Sequence, residues 1–112
     1  SIPMRTDSIF SIASMTKPTA ATAAMILVGE EKLSLDDLLK DRLPEFADGK
    51  HERITIRHLL THTSGLVGNQ QNEGTLAETM KVFAARPVAF PPGKTWAYSP
   101  AISVIGRVVE VT

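Results

Sequence analysis

The apolar residues of this chain fall into short bursts set off by turn residues, and the spacing inside each burst predicts an element. From Met15 to about Val28, Ala, Met, Ile and Leu occur with so little polar interruption that a helix there needs cover on most of its faces. Pro18 lies in its first turn, where a missing N–H costs nothing, and Gly29 supplies the stop. Ser34 can cap a second helix from Leu35 to about Leu43, with Asp36 and Asp37 at its positive end and Pro44 closing it. Thr55 can cap a third, from Ile56 to about Thr61, ahead of the Ser64-Gly65 turn. Thr75-Leu76-Ala77-Glu78 has capping-box spacing and opens a fourth, from Leu76 to about Ala85, before Pro87. Ile102 to Val111 predicts a last helix, with Ile102, Ile105, Gly106 and Val109 on its inner face. Two pieces read as extended: Ile9 to Ala13, as a short strand or an extended entry, and Trp96 to Tyr98, a short extended piece beyond the rigid Pro91-Pro92-Gly93 turn. The expected fold class is mainly α with one or two short strands.

This pattern sets a packing problem. The first helix needs neighbours all round, yet the others are short and only partly apolar, and strands that could cover it are almost absent. Either the core is small and loose, or the partners of that helix lie in sequence beyond these 112 residues.

Composition narrows the class. An apolar share of 43% with five Phe or Trp residues excludes a wholly disordered chain, and 112 residues suffice for one domain. Twelve basic against twelve acidic residues give a formal net charge of zero, so there is no electrostatic footprint for nucleic acid. Without Cys there is neither a disulfide framework nor a thiolate zinc site. The uncharged apolar stretch Pro18 to Gly29 falls short of the roughly 18 apolar residues a membrane span requires. Ser1 to Arg5 lacks the pattern of a signal peptide. No cofactor is implied, and the compartment is left open.

Three sets of residues can carry chemistry. Ser14-Met15-Thr16-Lys17 places Ser14 and Lys17 three apart, on one face of a helix, with Cβ atoms about 5–6 Å apart. A serine hydroxyl becomes a nucleophile when an adjacent base takes its proton, and Lys17 serves if burial and the positive helix end favour its neutral amine. Chance alone gives roughly 0.4 Ser-x-x-Lys matches in such a chain, so Ser14 as a plain N-cap beside a solvated Lys17 is the competing assignment. Tyr98, the only tyrosine, can pass protons if a cation lies near its phenol; the competing assignment is a half-buried, hydrogen-bonded tyrosine. His58 and His62 have the spacing of two metal ligands on one helix face, but Leu59 stands where a His-Glu-x-x-His site has its Glu. A third ligand would have to be His51 or a distant carboxylate, so a bracing role at the Thr63-Ser64-Gly65 turn is favoured.

The run from Phe10 through Ser14-Met15-Thr16-Lys17, then Leu59-Leu60-Thr61-His62-Thr63-Ser64-Gly65-Leu66, then Pro92-Gly93 leading to Trp96-Ala97-Tyr98-Ser99, resembles the serine β-lactamase-like hydrolases: class C β-lactamases, DD-peptidases and related esterases. The resemblance covers essentially the whole chain. It implies an acyl-enzyme mechanism with Ser14 as nucleophile and Lys17 and Tyr98 sharing the proton transfers. It also implies a small ester or amide substrate, and an oxyanion hole from the Ser14 N–H and a second N–H on a strand. The fold it implies is α+β, of which residues 1–112 would be one segment, the helical part from nucleophile to tyrosine. No metal or other cofactor belongs to that picture. In two places this sequence departs from the family. The Tyr-x-Asn motif would put Asn at Pro100, which lacks the amide that orients a β-lactam. The third motif, Lys-Thr-Gly or His-x-Gly, is not among these residues, since Lys94-Thr95 is followed by Trp96. The resemblance therefore favours a carboxylesterase. The alternatives are β-lactamase or DD-peptidase activity, or a non-catalytic piece of the fold.

Overall fold

The computed structural model describes residues 2–68 and 74–112. A single 3-10 turn at Ala13–Met15 runs into helix α1, Thr16–Gly29. Helix α2 is one turn, Leu39–Arg42, followed by a 3-10 turn at Pro44–Phe46. Then come α3, Ile56–Leu60; α4, Leu76–Ala84; and α5, Ile102–Val111.

The caps explain the helices that match expectation. Thr55 accepts the His58 N–H through its side chain, while the His58 ring accepts the Thr55 N–H, a capping box that starts α3. Thr75 and Glu78 make the same reciprocal pair at α4.

The second helix is shorter than predicted. Leu35 to Leu38 does not coil, because its carbonyls are taken from outside. Leu35 O accepts the Arg57 N–H at 2.9 Å and Asp37 O the Ile56 N–H at 3.1 Å. Ser34 closes a turn instead of capping a helix, its N–H donating to Asp37, which is also gripped by Arg42 at 2.7 Å. The result is one isolated antiparallel bridge, Leu38 to Thr55, which is the only β pairing among the described residues. Neither predicted strand forms. Ile9 to Ile12 and Trp96 to Tyr98 are irregular chain outside any β ladder, Ala13 belongs to the 3-10 turn, and a strand exists only as half of a pair.

The core is centred on α5, not α1. α1, α3 and α4 all pack against α5, burying Ala101, Val104, Ile105 and Val108. Its inner face is rotated by a residue from the predicted one, with Ile102 and Val109 only partly buried. Several helices share this face, so its centre is set by their placement and not by a single apolar stripe. Phe46, Leu39, Leu43, Ile54, Ile56, Leu59, Leu66, Met80 and Phe83 complete the core. In α1 only Ala24 is fully buried, and Met25 and Ile26 face outward. The expectation that α1 is covered on most faces does not hold here, since α5 covers one side of it. The exposed area, 7042 Å², exceeds the roughly 6,000 Å² of a folded monomer of this size, in keeping with that bare face.

Candidate active site

The site is assembled from two ends of the chain. Ser14 lies in the 3-10 turn that leads into α1, and Lys17 in the first turn of α1. Ser14 does not cap the helix, which has no side-chain cap. Its Oγ instead accepts two hydrogen bonds, one from Lys17 Nζ at 3.4 Å and one from the Tyr98 hydroxyl at 2.8 Å. Lys17 Nζ also lies 4.7 Å from the centroid of the Tyr98 ring. The Lys17 ammonium against the phenol, and then the hydrogen bond to Ser14, hold the Tyr98 pKa below the ordinary tyrosine value. Ser14 is exposed, Lys17 half-buried and Tyr98 54% exposed, so the desolvated pocket expected around Lys17 is not formed by the described residues. A cleft of about 700 Å³ opens beside Ser14, with Phe10, Ile12, Ala20, Leu76 and Ile102 as its apolar walls.

Tyr98 is brought to Ser14 by a backbone splint. The segment from Ala89 to Ser99 lies along the turn that follows α3 and bonds to it rung by rung. Ala89 N–H donates to Gly65 O at 2.9 Å, Gly93 N–H to Thr63 O at 2.8 Å, and Ala97 N–H to His62 O at 2.9 Å. Gly65 has a φ of +85°, and a Cβ there would collide with the Val88 side chain and the Phe90 carbonyl. Gly is required on both counts. The Thr63 N–H reaches back to His58 O at 2.9 Å, closing α3 in a Schellman turn.

The left-handed residue of that turn is His62, with a φ of +58°. Gly or Asn usually takes this position, and another residue there costs about 1–3 kcal/mol. The His62 ring stacks on Tyr98, with centroids 4.9 Å apart and planes 29° apart, and meets Trp96 edge-on at 5.9 Å. Its Nδ1 accepts the Ser99 N–H at 3.3 Å. Burial, and then the nearby Lys17 charge, lower its pKa. Nothing in the residue spacing signalled this contact, nor the φ of +45° at Ala13, the residue before Ser14.

His58 and His62 do not share a helix face, because α3 ends at Leu60 and the chain turns left-handed at His62. Each has its Nδ1 engaged by a backbone N–H. His51 lies elsewhere, buried between Asp48 and the Arg86 carbonyl. Among the described residues, no three His, Asp or Glu side chains come together as a metal ligand set. Pro100 is buried, and its carbonyl accepts the Ser103 N–H where α5 begins.

The family model described as Beta-lactamase matches residues 1–112. The chain belongs to the Beta-lactamase family. Esterase EstB of Burkholderia gladioli is 40% identical, over 96% of this chain and 33% of its own length. Penicillin-binding protein 4 of Amycolatopsis lactamdurans is 34% identical, over 98% of this chain and 31% of its own. The solved structure of EstCE1, a hydrolase with promiscuous acyltransferase activity, superposes with a TM-score of 0.77 at 34% identity. That match covers 88% of this chain and 32% of EstCE1. The chain thus spans about a third of the length of the relatives it matches. Its described part is mostly helical, and the α+β setting is inferred from the Beta-lactamase family. No described helix is long and apolar enough to cross a membrane.

Proposed function

We propose that this Beta-lactamase family chain carries the nucleophile and proton-transfer groups of a serine hydrolase that cleaves esters through an acyl-enzyme. The observation that carries this is the convergence of Tyr98 and Lys17 on Ser14 Oγ. With the Lys17 ammonium favouring the phenolate of Tyr98, the phenolate takes the Ser14 proton as Ser14 Oγ attacks the ester carbonyl carbon. The carbonyl oxygen becomes an oxyanion. The N–H groups at the start of a helix have no intrahelical acceptors, so the Ser14 N–H can serve as one donor to it. Collapse breaks the bond to the alcohol, which leaves with the proton from Tyr98. The phenolate then deprotonates water, which attacks the acyl-Ser14 ester, and the proton returns to Ser14 Oγ as the acid departs.

An ester is favoured over a β-lactam by Pro100, buried at the head of α5, which offers no side-chain amide. The apolar walls of the cleft favour a small apolar acyl or alcohol part. Residues 1–112 act in this scheme as one segment of the catalytic domain. Tested on the natural full-length protein, a fluorophosphonate should label Ser14, and a chromogenic short-chain ester should be turned over. Tyr98→Phe should slow turnover about 10²–10⁴-fold. A well-folded protein that neither takes the label nor hydrolyses the ester refutes the proposal.

A further inference from the structure

We infer that His62 is a positioning residue for Tyr98, gripping its ring only as a neutral imidazole and releasing it on protonation. This rests on the proposed role of Tyr98 in proton transfer. Three contacts converge on one side chain. The ring stacks on Tyr98 at 4.9 Å, its Nδ1 accepts the Ser99 N–H next to Tyr98, and its edge meets Trp96. Because Nδ1 is an acceptor, the proton of the neutral ring is on Nε2. The His62 carbonyl also accepts the Ala97 N–H, so residues on both sides of Tyr98 hang from this one position.

The backbone supports the inference independently. His62 occupies the left-handed position of a Schellman turn, which glycine would fill without strain, so the turn itself does not require an imidazole. The contacts that the side chain makes are with the arm carrying Tyr98.

Protonation would place an N–H where Nδ1 now accepts one, breaking the Ser99 contact. The titratable groups set against His62 are Tyr98 from the arm and Lys17 from α1. Lys17 is cationic, and its charge together with burial favours the neutral ring. His58, on the same helix end, is engaged with Thr55. The folded-state pKa of His62 lies below the ordinary 6.5 of histidine. The unfolded chain therefore binds the proton first as pH falls. The contribution of His62 to stability is fully present above about 6.5 and is lost on descending from there through the lowered value.

The chain contains one tyrosine and one tryptophan, so both neighbours of His62 can be observed without labelling. In the purified full chain, near-ultraviolet titration of Tyr98 should show its midpoint below the ordinary tyrosine value. His62→Gly relieves the positive φ, so it should fold at least as firmly. It should nevertheless move the Tyr98 midpoint upward as the phenol drifts from Lys17. His62→Phe keeps the stack but not the Ser99 contact, so it should keep only part of the lowered midpoint. Protonation of the ring that meets Trp96 should change Trp96 fluorescence on acidification, and that change should be absent in both variants. In the natural full-length protein, His62→Gly should lower kcat about 10²-fold, the cost of roughly a 1 Å misplacement, with KM little changed. His62→Phe should recover part of that kcat and shift the acid-side break in its pH profile. A Tyr98 midpoint unmoved in His62→Gly overturns the positioning role. A shifted midpoint in a protein that never hydrolyses an ester supports that role while refuting the hydrolase proposal.

Discussion

The two halves of the site meet at one oxygen but are held by different means. The nucleophile end, residues 2–17, is exposed and irregular. Its Ile9 is 97% exposed, its contacts before Ser14 include the surface pair Arg5–Asp7, and its fixed point is the start of α1. The tyrosine arm, residues 89–99, is tied rung by rung to the turn after α3, which is itself anchored by buried Leu59, Ser64 and Leu66. The Ser14 half therefore bears little structural load, while the other positions a single side chain with much of the local fold. In the proposed mechanism a nucleophile needs access, whereas a proton-transfer group needs a fixed distance, and the two halves suit those demands.

This contrast can be broken by substitution. Ser14→Ala and Lys17→Ala in the natural full-length protein should each cost roughly 10⁴-fold or more in ester turnover, with thermal unfolding little changed. A large fall in melting temperature for either would place structural load where none is visible. Gly65→Ala should act the other way, destabilising by about 2–4 kcal/mol in urea unfolding, because it combines a left-handed φ with a collision against Val88 and Phe90. Thr55→Ala removes the cap that starts α3 and should cost about 1 kcal/mol, measured the same way. Asp7→Ala, which removes an exposed ion pair of the nucleophile end, should change stability by less than about 0.5 kcal/mol. If Asp7→Ala proved as costly as Thr55→Ala, the two halves would not differ as described.

Much of this was legible along the chain. Thr55 and Thr75 declared their helices because a cap needs only residues three apart, and Gly29 and Pro44 marked ends for equally local reasons. The Ser14, Lys17 and Tyr98 set was named from spacing and resemblance, and the fold brings the three within contact. Two of the misses are long-range. Leu35 to Leu38 has a helical pattern but gives its carbonyls to Ile56 and Arg57. The burial predicted for α1 went to α5, whose position among three other helices no single stripe of residues encodes. The shared helix face read for His58 and His62 fails for a local reason, since α3 ends between them, while the favoured bracing role agrees with their contacts to Thr55 and Ser99.

The sequence alone determined the capping boxes at Thr55 and Thr75, the lack of Cys and the identity of the candidate Ser14, Lys17 and Tyr98, since these depend on residue type and short spacing. Only the tertiary structure decided that α5 is the centre of the core, that Pro100 is buried at its head, and that His62 grips Tyr98 against Ser14. Those facts join residues far apart in the chain, 84 positions in the case of Ser14 and Tyr98. Such contacts follow from how the elements pack, which no local pattern specifies.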